Sequence, residues 1–130
     1  MLLIKNFKIL STIRNMSIKT ETRGPALIIR LGGNFNKTTA EELHELLDSA
    51  IAEGATRLIF DFSLLNHISS DGLRVILKAI GDIQERKGQV AIAQLGNQVR
   101  GVFAASGFFS LIREFDDVDS ALEVINEVTN

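Results

Sequence analysis

The chain contains 130 residues, of which 45% are hydrophobic and 23% are charged, as is typical of a soluble protein with one domain and one core. Its 14 Lys and Arg residues and 16 Asp and Glu residues give a formal net charge of -2, which provides no general attraction to nucleic acid or anionic lipid. Cysteine is absent, which excludes disulfides, thiolate metal ligands and thiol catalysis. We therefore expect a cytoplasmic protein that binds neither nucleic acid nor membranes.

The beginning of the chain does not look like part of the folded domain. Lys5, Lys8 and Arg14 divide its apolar residues into runs too short for a secretory signal. Strand-like sequence follows Met16 directly. We interpret residues 1–15 as a flexible leader or a misassigned start, and residues 16–130 as a single folded domain.

Strands and helices alternate along that domain. Residues 17–23 and the apolar run 26–31 flank a Gly-Pro turn, which predicts a pair of antiparallel strands. The capping-box pattern from Thr38 to Glu41 predicts that Thr38 caps a first helix, which Gly54 ends. The remaining predicted elements are a strand at 58–62, a helix from about Ser70 to Gly88, a strand at 89–95, a helix at 98–106, a strand at 111–115 and a last helix lined by Ala121, Leu122, Ile125 and Val128. This order predicts an α/β fold with a mixed, mostly parallel sheet of about five strands and about four helices.

The most informative segment is LIFDFSLLNHISSDGLRVIL, residues 58–77. It leads from a buried strand into a helix whose first turn contains Ser69, Ser70, Asp71 and Gly72. A helix N-terminus has unpaired N–H groups and a partial positive charge, both of which favour a phosphate. Serine is also a preferred N-cap, so a purely structural role is the alternative. Gly72 lowers helix propensity by about 1 kcal/mol, which suggests the close approach of another backbone and a docking surface.

The strand, the loop, the helix opening ISSDGLRVIL and the order of elements resemble the STAS domain of bacterial anti-sigma factor antagonists. The resemblance covers about residues 16–128. It includes the turn LGGNF at 31–35 and the small-residue corner AASGF at 104–108. It implies a STAS-like fold and a non-enzymatic protein that switches between partners.

The resemblance also implies the site residues and partners. The matching phosphoacceptor is Ser70, with Ser69 as second choice. The implied partner-binding residues are Asn36, Ser69, Ser70, Asp71, Gly72 and Arg74. The unmodified domain would bind an anti-sigma factor that is a GHKL-type serine kinase, phosphorylation would release it, and a PP2C-type phosphatase would reverse the change. We expect no metal and no cofactor.

Three positions differ from the family pattern, and two of them, Asn36 and Ser69, favour an alternative. Asn36 and Ser69 stand where the family often has aspartate, and Asp71 stands where a small or hydroxyl residue is common. The alternative is a STAS module that associates with a protein partner in a signalling or scaffold assembly without phosphorylation.

Other functions find less support in the residues. His67 lies three residues before Ser70, but no G-x-S-x-G elbow surrounds this serine. Asp61 at a strand end could be an aspartyl phosphoacceptor, yet no acidic pair ends an earlier strand to hold magnesium, so we interpret it as structural. His44 is interpreted as a surface or boundary residue, and the glycines form no phosphate cradle. Three aromatic residues would be interface candidates only if exposed beside the Ser70 turn: Phe103, Phe108 and Phe109.

Overall fold

The structure is a computed structural model that describes residues 18–107, 110 and 112–127. The expected leader at 1–15, Phe108, Phe109 and Val128 lie outside the described residues. The elements in chain order are β1 (Ile18–Arg23), β2 (Ala26–Phe35), α1 (Lys37–Ala52), β3 (Arg57–Ile68), α2 (Ser70–Glu85), β4 (Gln89–Ala93), α3 (Asn97–Ala105), β5 (Arg113–Phe115) and α4 (Val118–Glu127). Within these ranges no helix has the length and apolar character needed to cross a membrane.

The five strands form one sheet in the order β1-β2-β3-β4-β5. β1 runs antiparallel to β2, and the other neighbouring pairs are parallel. Helices α1, α2 and α3 make the crossovers that parallel strands require. The predicted α/β fold, with a mixed, mostly parallel sheet and four helices in the described part of the chain, is confirmed.

The helices cover both faces of the sheet. Side chains alternate between the faces of a strand, so Leu27 and Ile29 of β2 join one core while Ile28 joins the other. Helices α1, α2 and α3 contribute their buried side chains to the first core. Helix α4 packs on the opposite face through Ala121, Leu122 and Ile125. The first parts of β2 and β3 therefore form a platform that is packed on both faces, whereas Leu64 further along β3 is 69% exposed.

Stacked aromatic rings pack one face of the sheet at its centre. The ring of Phe62 on β3 stacks on Phe60 and on Phe103 of α3, with centroid separations of 5.8 Å and 5.4 Å. Phe103 is fully buried. It is therefore a core residue that attaches α3 to the sheet, and the condition that would have made it an interface residue is not met.

Strands β2 and β3 are longer than the sequence predicts. β2 continues through the predicted turn at 31–35 and ends at Phe35, and β3 continues to Ile68. The ladder between them shifts register twice in this stretch, where Gly33 adopts a φ of 72° that other residues rarely tolerate. The predicted turn was wrong because pairing with a distant segment outweighs the low strand propensity of Gly and Asn.

Gly88, which follows α2, provides a test of backbone packing. A Cβ at this position would overlap the carbonyl oxygen of Thr56 and lie 2.7 Å from Ile83 Cγ2. We expect Gly88→Ala to lower the free energy of unfolding by about 1 to 3 kcal/mol, because neither neighbour can move without disturbing the core. Urea denaturation of the purified variant measures this change.

Gly81 is the matched control on the exposed face of α2. Apart from its chain neighbours and the backbone of its own helix, a Cβ there would meet no described atom within 4 Å. Gly81→Ala should therefore raise the free energy of unfolding, by up to about 1 kcal/mol, through helix propensity alone. Equal effects of the two substitutions would contradict the packing assigned to Gly88.

Candidate functional site

The site lies where two neighbouring parallel strands end side by side. The register pairs Asn34 with His67 and Phe35 with Ile68. The N–H of Ser69 then donates a hydrogen bond of 2.8 Å to the carbonyl oxygen of Phe35. The segments that open α1 and α2 are thus held next to each other at the same edge of the sheet.

The cap of α1 is Asn36. Its Oδ1 accepts hydrogen bonds from the N–H of Thr39 at 3.1 Å and from the hydroxyl of Thr39 at 3.2 Å. The predicted cap, Thr38, was wrong by two residues, because asparagine is a stronger N-cap than threonine and the end of β2 delivers it in an extended conformation. Asn36 stays exposed, so this predicted partner residue has a structural role as well.

The two adjacent serines have different positions. Ser69 is the N-cap of α2, and its Oγ accepts a hydrogen bond of 3.1 Å from the N–H of Gly72. Ser70 is the first residue of the helix and is exposed. The sequence left open which serine is structural and which is reactive. The geometry assigns the capping role to Ser69 and leaves the Ser70 hydroxyl at the surface.

Gly72 is buried beneath this turn. A Cβ at this position would lie 3.1 Å from Phe35 Cδ2 and 3.2 Å from Ile68 Cγ1. The close approach that the sequence predicted is therefore made by two side chains of the sheet and not by another backbone. Gly72 seats the helix on the strand ends and, being buried, offers no surface of its own to a partner.

Asp71 and Arg74 lie on the side of α2 that faces α1. Arg74 Nη1 is 3.3 Å from Asp71 Oδ1, and both side chains are largely exposed, at 75% and 45%. They line a groove of about 490 Å³ between the two helices. The other residues of this α1–α2 groove are Lys37, Ala40, Glu41, His44, Glu45, Val75 and Lys78. Charges of both signs thus border the site, and the α1 members were not identified from the sequence because no local motif marks them.

Asp61 belongs to a structural network on the sheet. It is 7% exposed. Its Oδ1 accepts from the N–H of Ser63 at 2.9 Å, and its Oδ2 accepts from Arg30 Nε at 3.1 Å. Arg30 also pairs with Glu21 at 2.7 Å, and this bond, with the nearby Asp61, raises the pKa of Arg30. The carboxylate of Asp61 is occupied, which supports its interpretation as a strand-fixing residue.

Neither histidine has a recorded hydrogen bond or ion pair with Ser69 or Ser70 in the described part of the chain. His67 is exposed on β3, in register with Asn34. His44 lies on α1 with its Nε2 3.2 Å from Asp48 Oδ2. In the described ranges no group of three or more His, Cys, Asp or Glu side chains is arranged to hold a metal ion.

Substitutions at the two serines separate their roles. We expect Ser69→Ala to lower the free energy of unfolding by about 1 kcal/mol, because the N–H of Gly72 loses its acceptor. Ser69→Asn should restore most of this loss, since asparagine caps as well as serine. Ser70→Ala should change stability by less than about 0.5 kcal/mol, as is usual for a surface substitution. Urea denaturation measures all three, and equal costs for the two alanine variants would contradict the assignment.

Comparisons with known proteins give consistent results. A family model described as the STAS domain matches residues 17–121. BtrV of Bordetella bronchiseptica, a candidate anti-sigma factor antagonist, is 36% identical over 85 residues, which cover 65% of this chain and 73% of that protein. The anti-sigma F factor antagonist of Paenibacillus polymyxa is 26% identical over 116 residues, which cover 88% of this chain and 99% of that protein.

Solved structures show the same fold. The anti-sigma factor antagonist SpoIIAA in its unphosphorylated form superposes with a TM-score of 0.77 at 23% identity, covering 87% of this chain and 99% of that one. The phosphorylated form of SpoIIAA from Bacillus superposes with a TM-score of 0.70 at 22% identity, covering 82% and 98%. The resemblance seen in the sequence is confirmed, and the chain belongs to the STAS domain family, in which its relatives include anti-sigma factor antagonists.

Proposed function

We propose that this protein is an anti-sigma factor antagonist that binds an anti-sigma factor through the first turn of α2 and is released when Ser70 is phosphorylated. The observation that carries the proposal is the exposed Ser70 hydroxyl, left outside the cap that Ser69 forms. The relatives named as antagonists support the class of partner. A phosphorylated form of SpoIIAA supports the modification.

The proposed modification is a transfer from a nucleoside triphosphate held by the partner, a GHKL-type serine kinase. Ser70 Oγ attacks the γ-phosphorus, the bond to the oxygen bridging to the β-phosphorus breaks, and the nucleoside diphosphate leaves. A base on the kinase takes the serine proton. A PP2C-type phosphatase returns the hydroxyl by hydrolysis. Because the nucleotide and the sigma factor are cytoplasmic, we place this cycle in the cytoplasm.

Electrostatics explains why the modification would release the partner. A phosphoserine adds about 1.5 to 2 negative charges, and here it would add them to a helix turn that already carries the acidic Asp71. A partner that covers the turn would have to desolvate or pair this charge. Each 1.4 kcal/mol of unpaired cost weakens binding about tenfold. The proposed contact surface consists of the exposed or half-exposed residues Asn36, Ser69, Ser70, Asp71 and Arg74.

A second function uses the same surface without phosphorylation. It is a STAS module that holds a constant partner in a signalling or scaffold assembly. Asn36 favours it, because a neutral amide engaged in capping stands where the family often has an acidic residue. The two functions differ in whether the state of Ser70 controls binding.

Mass spectrometry of the protein recovered from its native cells tests the proposal. We expect one phosphate on the peptide that contains Ser70 in the natural protein. Ser70→Ala should abolish it, because the nucleophile is removed. Ser69→Asn is the matched control, since it removes the other hydroxyl while keeping the cap, and it should retain the phosphate.

The possible results lead to different conclusions. Phosphate that persists in Ser70→Ala and disappears in Ser69→Asn would assign the modification to Ser69 and overturn the proposal for Ser70. Absence of phosphate from the natural protein in every growth condition would favour the module that acts without phosphorylation.

A further inference from the structure

Arg74 stands between two residues that can compete for it. With 3.6 residues per turn, Ser70 and Asp71 lie about 40° and about 60° from Arg74 around the helix axis, on opposite sides of it. Ser70 and Arg74 are four residues apart and Asp71 and Arg74 are three apart, and both spacings allow contact between side chains. In the unmodified chain the guanidinium is paired with Asp71.

The existing pair is easily exchanged. Arg74 Nη1 and Asp71 Oδ1 are 3.3 Å apart, the guanidinium makes a single contact, and the arginine side chain is 75% exposed. Solvent screens such a pair strongly. A phosphate offers the guanidinium a second negative charge and two oxygens in the geometry that a guanidinium binds best.

We propose that Arg74 is the internal partner of the phosphate on Ser70, and that on phosphorylation its guanidinium leaves Asp71 and pairs with the phosphate. The inference rests on the proposed function only in taking Ser70 as the phosphorylated residue. It adds a consequence for the α1–α2 groove, which Arg74 and Asp71 both line. On phosphorylation the guanidinium of Arg74 would be neutralised by the phosphate, and the carboxylate of Asp71 would lose its partner. A single modification would therefore change the charge that both residues present to a bound partner.

The charges across the groove do not replace Arg74. The charged or titratable members on α1 are Lys37, its first residue, and Glu41, His44 and Glu45 further along the helix. Lys37 and the two glutamates have opposite signs and oppose each other in their effect on the phosphate, and His44 is placed beside Asp48. Lys78 lies two turns along α2, about 12 Å from Ser70 in axial rise, and is paired with Asp82 at 3.0 Å.

The test titrates the phosphate itself, followed by phosphorus NMR on the full chain with phosphoserine incorporated at position 70 during synthesis. The second pKa of a free phosphoserine is about 6. We expect Arg74→Gln to raise it by about half a unit, because a screened positive neighbour is lost. Asp71→Asn should lower it by a similar amount, because a like charge and a competitor for Arg74 are both removed. Arg74→Lys should recover part of the natural value.

Lys78→Gln is the matched control, since it removes one positive charge from the same groove beyond the screening length of about 8 to 10 Å. Its shift should be much smaller than that of Arg74→Gln. Equal shifts in these two variants, or no response to Asp71→Asn, would overturn the proposal. Because the phosphoserine is installed during synthesis, the titration needs no kinase. A native protein without phosphate would contradict the proposed function and leave this result standing.

Discussion

The arrangement of the site depends on the pairing of β2 with β3 beyond their apolar runs. The ladder continues through two register shifts to Phe35 and Ile68, and the N–H of Ser69 extends it by one more bond to the carbonyl oxygen of Phe35. Since both strands are parallel, they deliver their following helices to the same edge of the sheet. The N-terminal turns of α1 and α2 begin next to each other for this reason.

The same pairing also determines how α2 sits on the sheet. Phe35 and Ile68 end neighbouring strands, and together they form the surface on which Gly72 rests without a Cβ. Because residue 72 has no side chain, the first turn of α2 can lie close to the sheet. In this position the N–H of Gly72 donates to the Oγ of Ser69, the residue directly before the helix. The turn is thus held by its cap and by the sheet without a partner, and such preorganisation limits the ordering entropy that binding must overcome.

Capping and the proposed phosphorylation fall on neighbouring side chains. Asn36 Oδ1 and Ser69 Oγ each accept a hydrogen bond from a backbone N–H in the first turn of the helix that the residue caps. Ser70 has no such task, and Asp71 and Arg74 satisfy each other at the surface. Modification of Ser70 can therefore alter the charge of the groove without breaking a cap. In the proposed function, this division allows the surface charge to change while the core stays unchanged.

Local patterns in the sequence determined the order of strands and helices, the mixed α/β sheet and the position of the serine turn. Apolar periodicity and glycine stops depend on neighbouring residues, so they can be read from the chain directly. Only the tertiary structure decided where β2 and β3 end, because the ladder joins segments about thirty residues apart and the glycine-rich stretch has little strand propensity of its own. That pairing in turn placed Asn36, and not Thr38, at the start of α1. It also separated the capping Ser69 from the exposed Ser70, because the bond from Ser69 to Phe35 decides which of two identical side chains closes the helix.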